Sequence, residues 1–220
     1  MDGMQTNRFG KRSCKIVLTG GPGSGKTTAQ RQLFEKISKD YASTWQVFIV
    51  GEAASILYHG GVHREEMSDA QIDRWQTDMV KTIFQLESVF DNIARNEQRR
   101  NTLIICDRGA LDPKVFTRSN KQWAEVLAEL GTTEDVLLAR YDLVLQLFTA
   151  PPENYTKSNN AYRREDYDAA YAINTKYEQV WSKHPRFAQI DNSDSCGEDE
   201  GWSAKFDKIE RLVRFVLDES

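Results

Sequence analysis

The stretch Gly20-Gly21-Pro22-Gly23-Ser24-Gly25-Lys26-Thr27-Thr28 constrains this chain more than any other. Two glycines five positions apart, then a lysine and a hydroxyl residue, give the spacing of a phosphate-cradling loop. Four glycines in six positions let the backbone bend tightly and turn successive N–H groups inward, forming a nest for an anion. Lys26 adds positive charge where the β- and γ-phosphates would lie, and the Thr27 hydroxyl is placed to ligate Mg²⁺. The flanks agree, because Lys15–Thr19 reads as a buried strand and Thr28 onward as a helix. Gly21, Pro22, Gly23, Ser24, Gly25, Lys26, Thr27 and Thr28 are therefore the candidate nucleotide-binding residues, with ATP or GTP as the expected ligand.

Such a loop works at the carboxyl ends of parallel strands, so the strands decide which other residues can join it. Trp45–Val50 is a second β-rich run ending at Gly51-Glu52, and a strand, a helix and a strand in that order suggest a parallel βαβ unit. A short helix is expected after Glu52, breaking at Gly60-Gly61. Ser68-Asp69-Ala70-Gln71 then has the form of a capping box. The helix behind it carries Ile72, Trp75, Met79, Ile83, Leu86, Phe90 and Ile93 in gaps of three and four, which predicts one core-facing stripe. The preceding helix, Lys26 to about Lys39, should bury Leu33, Phe34 and Ile37. Thr102–Cys106 is the most apolar strand, expected beside the first, with further strands at Asp142–Phe148 and Phe187–Ile190. Helices are expected near Lys121–Leu130, Glu134–Arg140, from Arg163 onward with Tyr177 and Trp181 inward, and over Ala204–Leu217.

Composition sets limits. The 220 residues suit one domain over 14–220, preceded by a flexible polar arm over 1–13. A net charge of −4 provides no general attraction for nucleic acid or an anionic membrane. No apolar run approaches the roughly eighteen residues of a membrane span, and the start of the chain lacks the apolar segment of a signal peptide. Cys14, Cys106 and Cys196 are scattered outside any metal-ligand spacing, as expected of reduced thiols in a cytoplasmic protein.

Phosphoryl transfer needs a phosphate cradle, a metal clamp, extra positive charge and a means to orient the acceptor. Asp107 directly follows the most apolar strand, the place of an acid that holds Mg²⁺ near Thr27; the competing role is capping the next turn. Arg108 beside it offers a planar fork for an acceptor-side phosphate, against a salt bridge at the sheet edge. Glu52 ends the second strand and is placed to accept the proton of an incoming hydroxyl, against helix N-capping. Arg163 and Arg164 follow a loop rich in Pro, Ser, Thr and Asn, as in a lid that closes over a triphosphate. Asp191 and Asn192, after the last strand, are candidates for the nucleotide base. His59 and His63 flank the Gly60-Gly61 break without a third ligand and read as polar loop residues.

In their order, GGPGSGKTT, VGEAAS, CDRG, YDLVLQLFTA and HPRFAQIDNS resemble the nucleoside/nucleotide-kinase-like P-loop proteins labelled "AAA domain". That group includes the ATPase-like domain of TRPL translocation defect protein and, distantly, nicotinamide riboside kinase. The resemblance covers about residues 14–215 and implies a three-layer α/β sandwich. Its parallel five-stranded sheet would have the order 2-3-1-4-5, with helices on both faces. It also implies that Glu52, Asp107, Arg108 and the Arg163/Arg164 segment fall where nucleoside kinases keep their base, acidic and phosphate-binding groups. Asp107-Arg108 is similar to the Asp-Arg pair of thymidylate kinases, although no aromatic residue or histidine follows it.

Two functions are open at this point. One is a Mg²⁺-dependent kinase moving a γ-phosphoryl group to a nucleoside- or nucleotide-like small molecule. Lys26, Glu52, Asp107, Arg108, Arg163 and Arg164 would then carry the chemistry. The other is a nucleotide-dependent switch, slow at hydrolysis, that reports to a protein or lipid partner. The guanine-reading motif Asn-Lys-x-Asp is absent from the sequence, which excludes an ordinary small GTPase.

Overall fold

The computed structural model describes residues 6–150, 167–192 and 201–219. Strands Ser13–Thr19 (β1), Trp45–Val50 (β2), Asn101–Asp107 (β3), Leu143–Leu147 (β4) and Phe187–Ile190 (β5) form one sheet. All four pairings are parallel and the order is β2-β3-β1-β4-β5, as the resemblance implies. Parallel strands covered on both faces need apolar residues on both sides. That is why β1, β3 and β4 are almost continuously buried.

Successive side chains of a strand point to opposite faces, so β1 feeds two cores. Cys14, Ile16 and Leu18 pack with Leu33 and Ile37 of helix α1 (Lys26–Asp40). Ile209, Val213 and Val216 of α7 (Trp202–Asp218) join them. Val17 faces the other way, into a core shared with α3 (Asp69–Asn96) and α6 (Tyr167–Trp181). Residues of α2 (Ala53–His59), α4 (Asn120–Leu130) and α5 (Glu134–Leu138) complete it.

The capping box is present, with Ser68 and Gln71 bonding reciprocally at the start of α3. Two positions depart from the predicted stripes. Phe34 is 37% exposed, because one step past Leu33 turns it about 100° around α1. Ile93 is 42% exposed and Ala94 takes the inward place, since gaps of three and four drift around a helix of about 3.6 residues per turn. Within the N-terminal segment, residues 6–12 form a turn closed by a Thr6–Arg12 bridge. Asn7 Nδ2 fastens it by donating to Ala94 O and Glu97 O at the end of α3. Cys14 and Cys106 are buried free thiols; Cys196 lies outside the described residues. No described helix is long and apolar enough to cross a membrane.

Candidate functional site

The site begins where β1 ends. Gly20, Gly23 and Gly25 all have positive φ, at 129°, 70° and 88°. At Gly20 the need for glycine is double, since a Cβ there would lie 2.1 Å from Leu147 O. The loop therefore runs directly against the end of β4. Lys26 Nζ donates to Gly20 O and Gly21 O, both at 2.9 Å, and to Ser24 Oγ at 3.2 Å. Burial lowers the Lys26 pKa to about 8, with Arg108 adding to the effect and Asp107 opposing it. This buried ammonium bonds two carbonyls and a hydroxyl, and the carboxylates of Asp107, Glu52 and Asp112 favour its charge from nearby.

Across the loop, Thr27 Oγ1 donates to Asp107 Oδ2 at 2.6 Å. The other oxygen, Asp107 Oδ1, is buried and has no hydrogen-bond partner. Burial raises the Asp107 pKa, and Lys26 pulls against it. An orphaned carboxylate oxygen beside a threonine hydroxyl fits Mg²⁺, which takes one or two protein oxygens and fills its octahedron with water and phosphate. Among the described residues no group of three or more His, Cys, Asp or Glu could hold a metal, so an all-protein cage is not on offer there. Gln30 sets this geometry from α1. Its Nε2 donates to Val50 O and Ile105 O, both at 2.8 Å, which ties the ends of β2 and β3 to the loop helix.

Those two strand ends carry Glu52 and Arg108. Arg108 Nε donates to Glu52 Oε1 at 2.5 Å, while its Nη1 contacts Tyr177 Oη and, at 3.4 Å, Gly20 O. Its guanidinium carbon lies 6.0 Å from the Phe116 ring centre and 5.7 Å from that of Tyr177. Arg108 is also the one described non-glycine residue with positive φ, at 76°, so backbone strain is spent to hold it there. It is no surface pair at a sheet edge, because β3 lies between β2 and β1. Burial pushes the Glu52 pKa up, but Arg108, the Ser55 hydroxyl at 2.7 Å and Lys26 outweigh it and hold the carboxyl well below its usual range.

Asp112 is a participant that sequence reading missed. Its Oδ1 accepts from Thr19 Oγ1 at 2.8 Å and Trp181 Nε1 at 2.7 Å, and its Oδ2 lies 3.6 Å from Arg108 Nη1. It stands in a 3₁₀ turn, Asp112–Phe116, five residues past the strand end and outside any motif. Lys205 of α7 was missed too. Its Nζ donates to Phe148 O at 2.6 Å and Asn192 Oδ1 at 2.9 Å. Asn192 Nδ2 donates to Thr149 O at 2.7 Å, so this amide fastens the ends of β4 and β5 together. Asp191 precedes it in the same loop. Arg163 and Arg164, with Tyr155 and Lys157, lie outside the described residues.

One cleft of 1180 Å³ joins these groups. Pro22 to Thr28 line it, and so do Glu52, Asp107, Arg108 and Asp112. Its lining also includes Tyr58 and Trp75, stacked at 6.0 Å and 18°, and Phe116. Asp191 and Asn192 are not among the lining residues.

A protein-family model described as "AAA domain" matches residues 15–198. No curated protein matches the chain. Among solved structures, thymidylate kinase from Ehrlichia chaffeensis superposes with a TM-score of 0.63 at 13% identity. That match covers 91% of this chain and 98% of the kinase. The NadR protein in complex with NR superposes with a TM-score of 0.58 at 16% identity, covering 93% of this chain. Here the match takes in 50% of the NadR chain, so the present chain spans half of that protein. Likeness at these identities speaks to the fold, which is that of the kinase-like P-loop proteins.

Proposed function

The chain belongs to the AAA domain family, and we propose that it is a Mg²⁺-dependent phosphotransferase. It would move the γ-phosphoryl group of ATP or GTP to a hydroxyl of an uncharged, ring-bearing acceptor of nucleoside type. The observation that carries this reading is the Glu52–Arg108 pair, 2.5 Å apart, in the same cleft as Lys26, Thr27 and Asp107. Hydrolysis alone has no use for a second carboxylate and an aromatic chamber beyond the phosphate loop.

In this reading the loop N–H groups and Lys26 hold the β- and γ-phosphates, and Lys26 follows the charge as it moves to the leaving oxygen. Thr27 and Asp107 would hold Mg²⁺, which would supply positive charge against the phosphates. Glu52, kept ionised, accepts the hydrogen bond of the acceptor hydroxyl and aims its oxygen. A loose transition state asks for orientation more than for a strong base. Arg108 keeps Glu52 in place. The preference for an uncharged acceptor follows from the local charges. Glu52, Asp107 and Asp112 face Lys26 and Arg108, and the one guanidinium among them is already engaged by two carboxylates. Within this cluster of described residues a second phosphate would meet carboxylates whose cations are already engaged, with Arg31 and Arg64 lining the cleft outside it, whereas a ring finds Tyr58, Trp75 and Phe116.

The test is a multiple-turnover assay with ATP and with GTP, run against panels of nucleosides and nucleoside monophosphates. Diphosphate release that depends on a nucleoside-type acceptor supports the reading. Hydrolysis indifferent to every acceptor would replace it with the nucleotide-switch alternative. Cytoplasmic location belongs to the same proposal, since the cytoplasm supplies both nucleotide and Mg²⁺.

A further inference from the structure

The chain has five tryptophans, and four of them are core residues: Trp45, Trp75, Trp123 and Trp181 are 3%, 7%, 2% and 0% exposed. Trp202, the first residue of α7, is the exception and is only half-buried. Its six-membered ring rests on the phosphate loop, since a Cβ at Gly25 would lie 2.3 Å from Cζ3 and 2.7 Å from Cη2. The indole N–H donates to Gln32 Oε1 at 2.9 Å, which fixes the ring plane relative to α1. Phe206 stacks with it at 6.4 Å and 25°. A depression of 420 Å³ adjoins the indole, bounded by Gln32, Glu35, Lys36, Lys39, Ser203 and Phe206. Gln32 and Glu35 of α1 also line the main cleft, so the two spaces share these residues.

We infer that Trp202 is the stacking platform for the nucleobase of the bound nucleotide, with Gln32 holding the indole in position. The inference rests on the reading that the loop binds a nucleoside triphosphate. Phosphates seated on the loop leave the ribose and base to extend to one side of it. On the side of β2 and β3 lies the part of the cleft that this reading gives to the acceptor, beside Glu52 and Arg108. On the other flank stands an aromatic ring held against Gly25 and half open to solvent. Asn192, the sequence-derived candidate for base contact, has its amide engaged on both sides by Lys205 and Thr149. Stacking also explains how a base is held with no guanine-reading motif in the chain, because every base presents a π-face.

The experiment compares ATP, GTP and inorganic tripolyphosphate, which carries the phosphates without a base. Wild-type protein should bind all three, and only the two nucleotides should quench the emission of the half-buried indole. Trp202→Ala should weaken ATP and GTP about tenfold or more while leaving tripolyphosphate within about twofold, and Trp202→Phe should restore most of the loss. Equal weakening of all three ligands would overturn the inference, leaving Trp202 as a prop for Gly25. Unchanged nucleotide binding in Trp202→Ala would overturn it as well, with the nucleotide reading intact. Wild-type protein that binds neither nucleotide nor tripolyphosphate would sink the nucleotide reading and this inference together.

Discussion

Thr27 and Asp107 are 80 residues apart in sequence, and Thr27 Oγ1 donates to Asp107 Oδ2 at 2.6 Å. The bond uses one carboxylate oxygen and leaves the other buried without a partner. A buried carboxylate left half-satisfied is costly unless something completes it. Asp107→Asn keeps the shape and removes the charge. Nucleotide affinity measured in EDTA should hold within about twofold, while the gain that Mg²⁺ brings should fall about tenfold or more. Calorimetric titrations with and without Mg²⁺ decide it, and an undiminished Mg²⁺ effect would remove Asp107 from the metal site.

Gly20 and Gly61 both have positive φ, yet only Gly20 is crowded. A Cβ at Gly20 meets the Leu147 backbone at 2.1 Å, whereas one at Gly61 meets nothing within 4 Å. Gly61→Ala should therefore cost about 1 kcal/mol in backbone strain alone. Gly20→Ala adds a clash that no side-chain rotation relieves and should cost roughly 3 kcal/mol or more, with loss of phosphate binding. Urea unfolding of the two variants side by side gives the comparison, and equal losses would mean the loop backs away from β4 easily.

Much of this was legible in the sequence, and the reasons differ by element. Glycine spacing reports the loop because the backbone there needs conformations that side chains forbid. Strand order follows once apolar runs alternate with helices in a resemblance that covers the whole domain. Asp107 and Glu52 stood out because a carboxylate at the end of an apolar run marks the carboxyl end of a parallel strand, where ligands gather. Asp112 and Lys205 escaped because their partners are distant in sequence, and no local pattern distinguishes them from surface charges. Glu87 is the extreme case. A carboxylate within α3, it is fully buried and receives Lys15, Arg140 and Tyr141. Tyr141 Oη in turn accepts from Ala110 N at 2.7 Å, so the network braces the turn that follows Arg108.

Lys205 provides a test in pH. Burial lowers its pKa to about 8 in the folded protein, against 10.5 for the free side chain. Below pH 8 both states carry the charge, and the folded state bears the cost of burying it. Between pH 8 and 10.5 the unfolded chain holds more protons, so this group's contribution to stability rises with pH. Lys205→Met has no such titration. The stability of the wild type relative to Lys205→Met should therefore increase from pH 8 to pH 10, as read by urea unfolding at several pH values. A difference that stays flat or declines over that window would show that Lys205 is not desolvated as its 5% exposure implies.

Glu52→Gln separates chemistry from binding. The pair with Arg108 and the hydrogen bond from Ser55 keep Glu52 ionised, which suits a carboxylate that orients a hydroxyl. Glutamine retains the size and one acceptor oxygen but loses the charge that draws the proton. Transfer to the acceptor should fall about 10²- to 10⁴-fold, the usual worth of a positioned proton acceptor. Nucleotide affinity should stay within about twofold, because the loop and Lys26 hold the phosphates independently of Glu52. Arg108 would retain Asp112 at 3.6 Å and Tyr177, so the fold should tolerate the change. Single-turnover transfer and nucleotide titration on the same preparation measure the two quantities separately. A collapse in affinity with transfer would place Glu52 on the nucleotide or its metal, and the orienting role would pass to another group in the cleft.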